Sequence, residues 1–301
     1  MRVLKILSPV FLCLLVVGSV SAQMTGVNYR IDSDSFGSGG DNTSSGSTYE
    51  VRDSIGGGAM GIGIGSTYEL RSGLRPMIFD QIIILDVVAQ ETSTSTTVLG
   101  LSGTDITLLS SASFSVGDHV FLVQDVGSSP VSALGKVTAI VGNTVTVDEL
   151  VSSGGISIDG SDDRLYRATG TAIDFGDLSA TSIVHRLVGW EVSADVPNGF
   201  QVYVVEDGNL RSGADDVDDV SDGEVSVGSE EYGARSSDTS LSASTFDTVD
   251  TALTTSPEQV GSEAGTGFAK KGFLDLRAAI SLGTTDGTYA HSLTFTVAPT
   301  Y

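Results

Sequence analysis

The stretch from Ile183 to Asp207, IVHRLVGWEVSADVPNGFQVYVVED, constrains the fold more than any other part of the chain, because it holds two β-patterned runs separated by Pro197-Asn198-Gly199. In the first run Val184, Arg186, Val188, Trp190 and Val192 share one face, and Ile183, His185, Leu187 and Gly189 share the other. Both faces carry apolar residues, as expected of a strand buried inside a sandwich. In the second run Phe200, Val202 and Val204 alternate with Gln201, Tyr203 and Val205. Proline fixes φ and Asn-Gly accepts left-handed positions, so the stretch predicts a β-hairpin and an all-β fold.

The chain opens MRVLKILSPVFLCLLVVGSVSAQ: Arg2 and Lys5 precede an apolar run, and Val20 and Ala22 occupy the small-residue positions before Gln23. That pattern predicts a secretory signal peptide over residues 1–22, leaving 279 of the 301 residues. Cys13, the one cysteine, leaves with it. A mature chain without disulfides must be held by burial and sheet hydrogen bonds, which suits a bacterial exported protein better than a disulfide-stapled module. Without Arg2 and Lys5, 13 basic side chains face 38 acidic ones, a net charge of −25. Such a surface repels phosphate backbones, so nucleic acid is excluded as a partner. No later apolar stretch has the length of a membrane-spanning helix, since Asp80 and Asp86 interrupt Met77 to Ala89.

Three regions follow the leader. Residues 23–78 are rich in Gly and Ser and repeat a Tyr-centred phrase: Asn28-Tyr29-Arg30-Ile31, Ser47-Thr48-Tyr49-Glu50-Val51 and Ser66-Thr67-Tyr68-Glu69-Leu70. Each unit predicts a short strand, a Gly-rich turn and a second strand. The segment resembles the N-terminal region of bacterial exported proteins whose Gly-rich phrases are punctuated by Ser-x-Tyr-x-Leu units, a resemblance that implies export and a cell-surface setting. Residues 79–168 predict a compact β module, and Val116-Gly117-Asp118 with the Val137 to Val147 hairpin resembles small β-barrel modules, a resemblance that implies a barrel-like fold. Gln81 to Val88 is a strand, Thr92 to Thr97 an exposed edge or loop, and Phe114 to Val123 pairs with Ala133 to Val141, which turns at Gly142-Asn143 into Asn143 to Val147. Residues 169–301 predict a C-terminal β-sandwich, in which Leu274, Leu276, Ala278, Ile280 and Leu282 alternate along one strand. Gly287-Thr288-Tyr289 with Leu293 to Val297 resembles the last strand of Gram-positive WxL domains and of fimbrial or coat-type sandwiches. The Trp-x-Leu signature itself is absent, because Glu191 and Val192 follow Trp190.

Candidate chemistry is sparse. Gly56 to Gly61 spells G-x-G-x-x-G without a βαβ unit around it, and Asp174-Phe175-Gly176 lacks the other parts of a kinase site. There is no G-x-S-x-G elbow, and His119, His185 and His291 each fall within a strand pattern, where a satisfied or surface role is the plain reading. The acidic loop Asp215 to Glu224 offers six carboxylates in ten residues, hard oxygen ligands of the kind Ca²⁺ takes, but its spacing fails the EF-hand pattern and a solvated loop is the plainer alternative. No cofactor is expected.

The expectation is therefore a non-catalytic, secreted structural or adhesive protein whose partners are the cell envelope or further copies of itself through strand edges. The alternative is an exported carbohydrate-binding or carbohydrate-acting protein, which needs exposed aromatic platforms where this chain has a single Trp in mid-strand. An outer-membrane barrel ranks third, since Pro299 breaks the terminal alternation and the long acidic loops disturb the even strand spacing.

Overall fold

The computed structural model describes residues 82–127 and 130–300 in full and, nearer the N-terminus, the backbone of short strands between 24 and 72. The predicted leader, Gly56 to Met60 of the glycine-rich phrase and Ser66 to Tyr68 of the third Tyr-centred phrase lie outside the described residues. The chain forms two compact units, 1–80 and 81–301. It is all-β, with several antiparallel sheets, as the alternation predicted.

In the first unit β1 (Met24–Gly26) and β2 (Tyr29–Ile31) form a two-stranded hairpin, and β3 (Ser44–Gly46), β4 (Tyr49–Asp53), β5 (Gly61–Ile64) and β6 (Glu69–Ser72) form a four-stranded meander. Gly26 pairs with Tyr29 and Gly46 with Tyr49, so two of the recurring tyrosines each begin the second strand of an antiparallel pair.

The second unit holds β7 (Ile83–Ser102), β8 (Asp105–Leu108), β9 (His119–Gln124), β10 (Val131–Val141), β11 (Thr144–Val147), β12 (Val151–Ser152), β13 (Arg164–Ala168) and β14 (Val184–Ala194). Beyond them come β15 (Phe200–Glu206), β16 (Arg211–Ser212), β17 (Asp215–Asp216), β18 (Glu231–Ser236), β19 (Glu258–Glu263), β20 (Gly267–Ala279) and β21 (Leu293–Pro299). In the ten-stranded sheet the run β13-β9-β10-β11-β8-β7 closes on itself, because β7 also pairs with β13. The closed ring is a small antiparallel barrel filled by Val98, Ile106, Leu108, Val120, Leu122 and Leu165 among others. Gly142-Asn143 makes the β10–β11 turn, with Gly142 at φ 59°. The Thr92 to Thr97 run is neither free edge nor loop. It is the middle of the 20-residue β7, where Thr96 and Thr97 pair with Leu165 and Arg164.

β7 leaves the barrel at its N-terminal half and joins a second group, β7-β14-β20-β18. This group is a middle layer. One face, through Leu187 and Phe273, packs on the barrel residues Phe121, Val123, Leu134 and Tyr166. The other face, through Val188, Trp190, Val192, Leu274 and Leu276, packs on the three-stranded sheet β19-β15-β21.

The expected hairpin at Ile183 to Asp207 is not formed. β14 pairs with β7 and β20, whereas β15 pairs with β19 and β21, so the Pro-Asn-Gly turn carries the chain from one sheet to the facing one. The reason lies in the two patterns. β14 is apolar on both faces and must sit between two layers, while β15 buries Phe200, Val202, Val204 and Glu206 on one face only and belongs to an outer layer. The turn closes with the Gly199 amide donating to the Val196 carbonyl at 3.0 Å, and Gly199 has φ 82° with the Glu263 carbonyl oxygen 1.7 Å from where a Cβ would stand.

Trp190 is 3% exposed and lies in a notch made by two glycines. A Cβ on Gly272 or Gly261 would stand 2.5 Å or 2.9 Å from indole Cζ2. Gly272→Ala is expected to lower stability by about 1–3 kcal/mol through overpacking, measured by urea unfolding; an unchanged midpoint would mean the indole does not lie against β20. The alternation from Leu274 runs only to Ala279, and Leu282 is 97% exposed in the loop beyond.

Candidate functional site

The acidic loop does not gather its carboxylates. Asp215 and Asp216 are exposed on the short β16–β17 ribbon, Asp216 accepts from Asn209, and Asp222 accepts the Glu224 amide. Asp219 is the exception. The segment around it runs parallel to β18, with the Tyr232 amide donating to the Asp218 carbonyl and the Val220 amide to the Tyr232 carbonyl, both at 2.8 Å. This places the loop over one end of the sandwich.

Beneath it is a polar end to an otherwise apolar interior. Glu206, on the core-facing side of β15, is 3% exposed, and its Oε2 has no hydrogen bond. Buried oxygens of Asp219 and Glu258 likewise have none. Burial, together with the charges of Asp219, Asp207 and Glu258, pushes the Glu206 carboxyl up to about 7, against a smaller opposing pull from Arg211. Burial also raises Asp219, with Asp218 and Asp216 adding to it. Glu258 rises for the same first reason, although bonds to Thr254 pull the other way. At this end of the sandwich burial favours the protonated carboxyl over the carboxylate.

His291 stands beside Glu206, its Nδ1 3.4 Å from Oε2 and 3.3 Å from the Gly208 carbonyl, its Nε2 3.1 Å from the Tyr232 hydroxyl. Burial lowers the imidazole pKa, opposed by the bond to Gly208, so the ring is neutral at pH 7. A carbonyl can only accept; Nδ1 therefore carries the hydrogen and Nε2 accepts the tyrosine O–H. Burial holds that phenol far above its ordinary pKa, in keeping with a donor role. His291 precedes β21 rather than lying in it. His119 meets Glu191 at 3.0 Å and His185 meets Asp275 at 3.1 Å, so all three imidazoles have polar partners.

His291 and Tyr232 are among the residues lining a cleft of about 1160 Å³, together with Val87, Val188, Leu276 and residues 171–178 and 284–295. Asp174-Phe175-Gly176 is part of that lining. Its Asp174 side chain accepts the Gly176 amide, Phe175 packs edge-on against Tyr232, and Arg186 holds the Asp174 and Phe175 carbonyls, so the phrase is a packing plug.

Because Glu206 has a folded-state pKa above that of an unfolded glutamate, its contribution to stability is full below about pH 4.5 and is lost as pH rises through about 7. We expect a loss of about 2–3 kcal/mol across that window, absent in Glu206→Gln, from urea unfolding at stepped pH. A flat wild-type profile would contradict the burial of this group.

Among the described residues one set of carboxylates does converge, and sequence reading missed it: Asp125, Asp159 and Asp162, whose oxygens lie within 4.8 Å of one another. The legible signal was the run Asp159-Gly160-Ser161-Asp162-Asp163, but Asp125 lies far from it in sequence.

Neither the family models, nor the curated proteins, nor the solved structures of known proteins contain a match to this chain. Its function must be argued from its own residues.

Proposed function

We propose that this protein is a non-catalytic, secreted or cell-surface structural or adhesive component that associates with the cell envelope or with copies of itself through strand edges. The observation that carries the proposal is the outer edge of β21. In the sheet β19-β15-β21 both outer strands are edges. β19 carries Glu258 and Glu263 and a bulge, features that discourage pairing. β21, Leu-Thr-Phe-Thr-Val-Ala-Pro, carries no charge at all.

The β15–β21 ladder fixes which groups point outward. The Asp207 amide donates to the Ser292 carbonyl and the Thr300 amide to the Gly199 carbonyl, so the hydrogen-bonded pairs fall on Thr294, Thr296 and Ala298. The alternation then turns the main-chain groups of Leu293, Phe295 and Val297 away from β15. Among the described residues no other strand pairs with them. An uncharged edge with free donors and acceptors is a template for another strand.

One further observation favours this reading over the carbohydrate alternative. Trp190 is withdrawn into the core beside Phe295, so it offers no sugar platform. Among the described residues no helix is long and apolar enough to cross a membrane.

The N-terminal hairpins enter the proposal because strands this short are marginal in water without a third layer or a partner. The test compares the chain from Gln23 with a chain starting at Gln81. The shorter one is expected to stay folded and monomeric while the longer one sediments as larger species. If both are monomeric and equally heat-stable, the hairpins have no part in assembly.

A further inference from the structure

We propose that the strand received by the edge of β21 is β6 of a second copy of this chain, lying along the cleft that β21 lines. The inference rests on the edge-pairing reading above and adds the identity of the partner strand. The cleft and the edge are one place. Leu293, Thr294 and Phe295 of β21 line the cleft, and the main-chain groups of Leu293 and Phe295 are among those turned away from β15. A strand laid beside them gains main-chain hydrogen bonds from the edge and apolar contact from Ile173, Leu178 and Phe295.

The charges of the cleft narrow the choice of strand. Its lining holds Asp174, Asp177 and Asp286 and no lysine or arginine. The Asp174 side chain is occupied with the Gly176 amide, whereas Asp177 and Asp286 are exposed, and among the described residues their side chains form no hydrogen bond or salt bridge. The second unit has no cation to spare for them. Its nine lysines and arginines, set against 31 acidic side chains, all donate already to carboxylates or carbonyls within it. A segment that enters this cleft is therefore favoured if it brings its own positive charge.

Beyond the predicted leader, the remaining basic residues of the chain are Arg30, Arg52, Arg71 and Arg75. Arg52 lies on β4, whose two edges are taken by β3 and β5. Arg30 lies on β2, a strand of three residues. Arg71 lies on β6, an outer strand of the meander, and Arg75 follows shortly after its end. β6 thus combines an edge that is unpaired among the described residues with two basic residues. The opposite outer strand, β3, is Ser44-Ser45-Gly46 and offers neither a charge nor an apolar side chain. Pairing β6 with β21 would join the four-stranded meander of one copy to the three-stranded sheet of the next. Since each chain carries both strands, the contact is head-to-tail and can repeat.

The test is made on the chain from Gln23, which has no cysteine of its own. Copies carrying Thr296→Cys are mixed under oxidising conditions with copies carrying Leu70→Cys or Arg71→Cys, adjacent positions that sample both faces of β6. A disulfide between the two kinds of copy is expected for one of these pairs and not for Ser45→Cys on β3. In sedimentation velocity, Arg71→Glu with Arg75→Glu should weaken association about tenfold, and adding Asp177→Lys with Asp286→Lys to the same chain should restore it. Assembly that persists with the reversed arginines and yields no β6–β21 disulfide overturns the assignment of β6, while edge pairing at β21 stands with another partner strand. A wild type that is monomeric at every concentration overturns both. A β6–β21 disulfide that forms only within single chains carrying both cysteines also overturns the proposal, because the occupant is then not a second copy.

Discussion

Trp190→Ala is expected to destabilise the second unit by about 3–5 kcal/mol. The indole occupies the centre of the interface between β7-β14-β20-β18 and β19-β15-β21, tilted against Phe295 at 6.0 Å between ring centres and seated over Gly261 and Gly272. Neither glycine has a side chain that could move into the space left by truncation, and their strands are held in register by β14 and β15. The cavity therefore stays open, which is the condition under which large-to-small changes cost most. Urea unfolding followed by circular dichroism measures the loss. A loss under about 1 kcal/mol, or a wild-type fluorescence maximum like that of indole in water, would contradict the placement.

Lys271→Met is expected to cost about 3–4 kcal/mol, for an electrostatic reason. Lys271 lies on β20 with its side chain 1% exposed, and its Nζ contacts Asp148 at 2.7 Å, Glu149 at 3.1 Å and the Ala269 carbonyl at 3.2 Å, with Glu191 at 3.9 Å. Burial by itself would lower the lysine pKa, but the bonds to Asp148 and Glu149 outweigh it and raise the value. Asp148 and Glu149 belong to the barrel, and Glu191 belongs to β14, where it also binds Lys136 and His119. The ammonium thus fastens the barrel to the middle layer. Methionine keeps the stem and removes the charge, leaving acidic groups from two elements facing one another. Because Asp148 and Glu149 are partly open to water, the cost falls short of the upper end for a fully buried pair. Adding Glu191→Gln should recover part of the loss; strict additivity of the two changes in a double-mutant cycle would refute the coupling.

These two sites show what the amino-acid pattern could convey. The mid-strand Trp190 and the two-faced apolar run around it marked a buried strand correctly, and Gly142-Asn143 marked its hairpin, because both signals are local. The link from β14 to β15 was misread because Pro-Asn-Gly specifies a reversal without specifying whether the chain returns beside itself or into the facing layer. The deciding information was present in the contrast between a strand apolar on both faces and one apolar on a single face. The polar end of the sandwich was not legible, since Glu206 reads as the solvent-side end of a strand until β21 and the acidic loop close over it. The Asp125 cluster failed for a similar reason: its members are far apart in sequence, and attention to the denser acidic run at Asp215 to Glu224 favoured charge count over convergence.

Assembly through the edge of β21 that is unpaired among the described residues is the central proposal, and sedimentation velocity of the chain from Gln23 with and without lysines at that edge tests it most directly. Thr294 and Thr296 are exposed on the outer face of β21, so Thr294→Lys with Thr296→Lys should leave the fold and its melting temperature intact while placing charge beside the free main-chain groups of Leu293, Phe295 and Val297. The wild type is expected to show concentration-dependent larger species, and the double-lysine variant a single monomeric boundary. A wild type that is monomeric at every concentration, or a variant that assembles as readily as the wild type, would contradict the account.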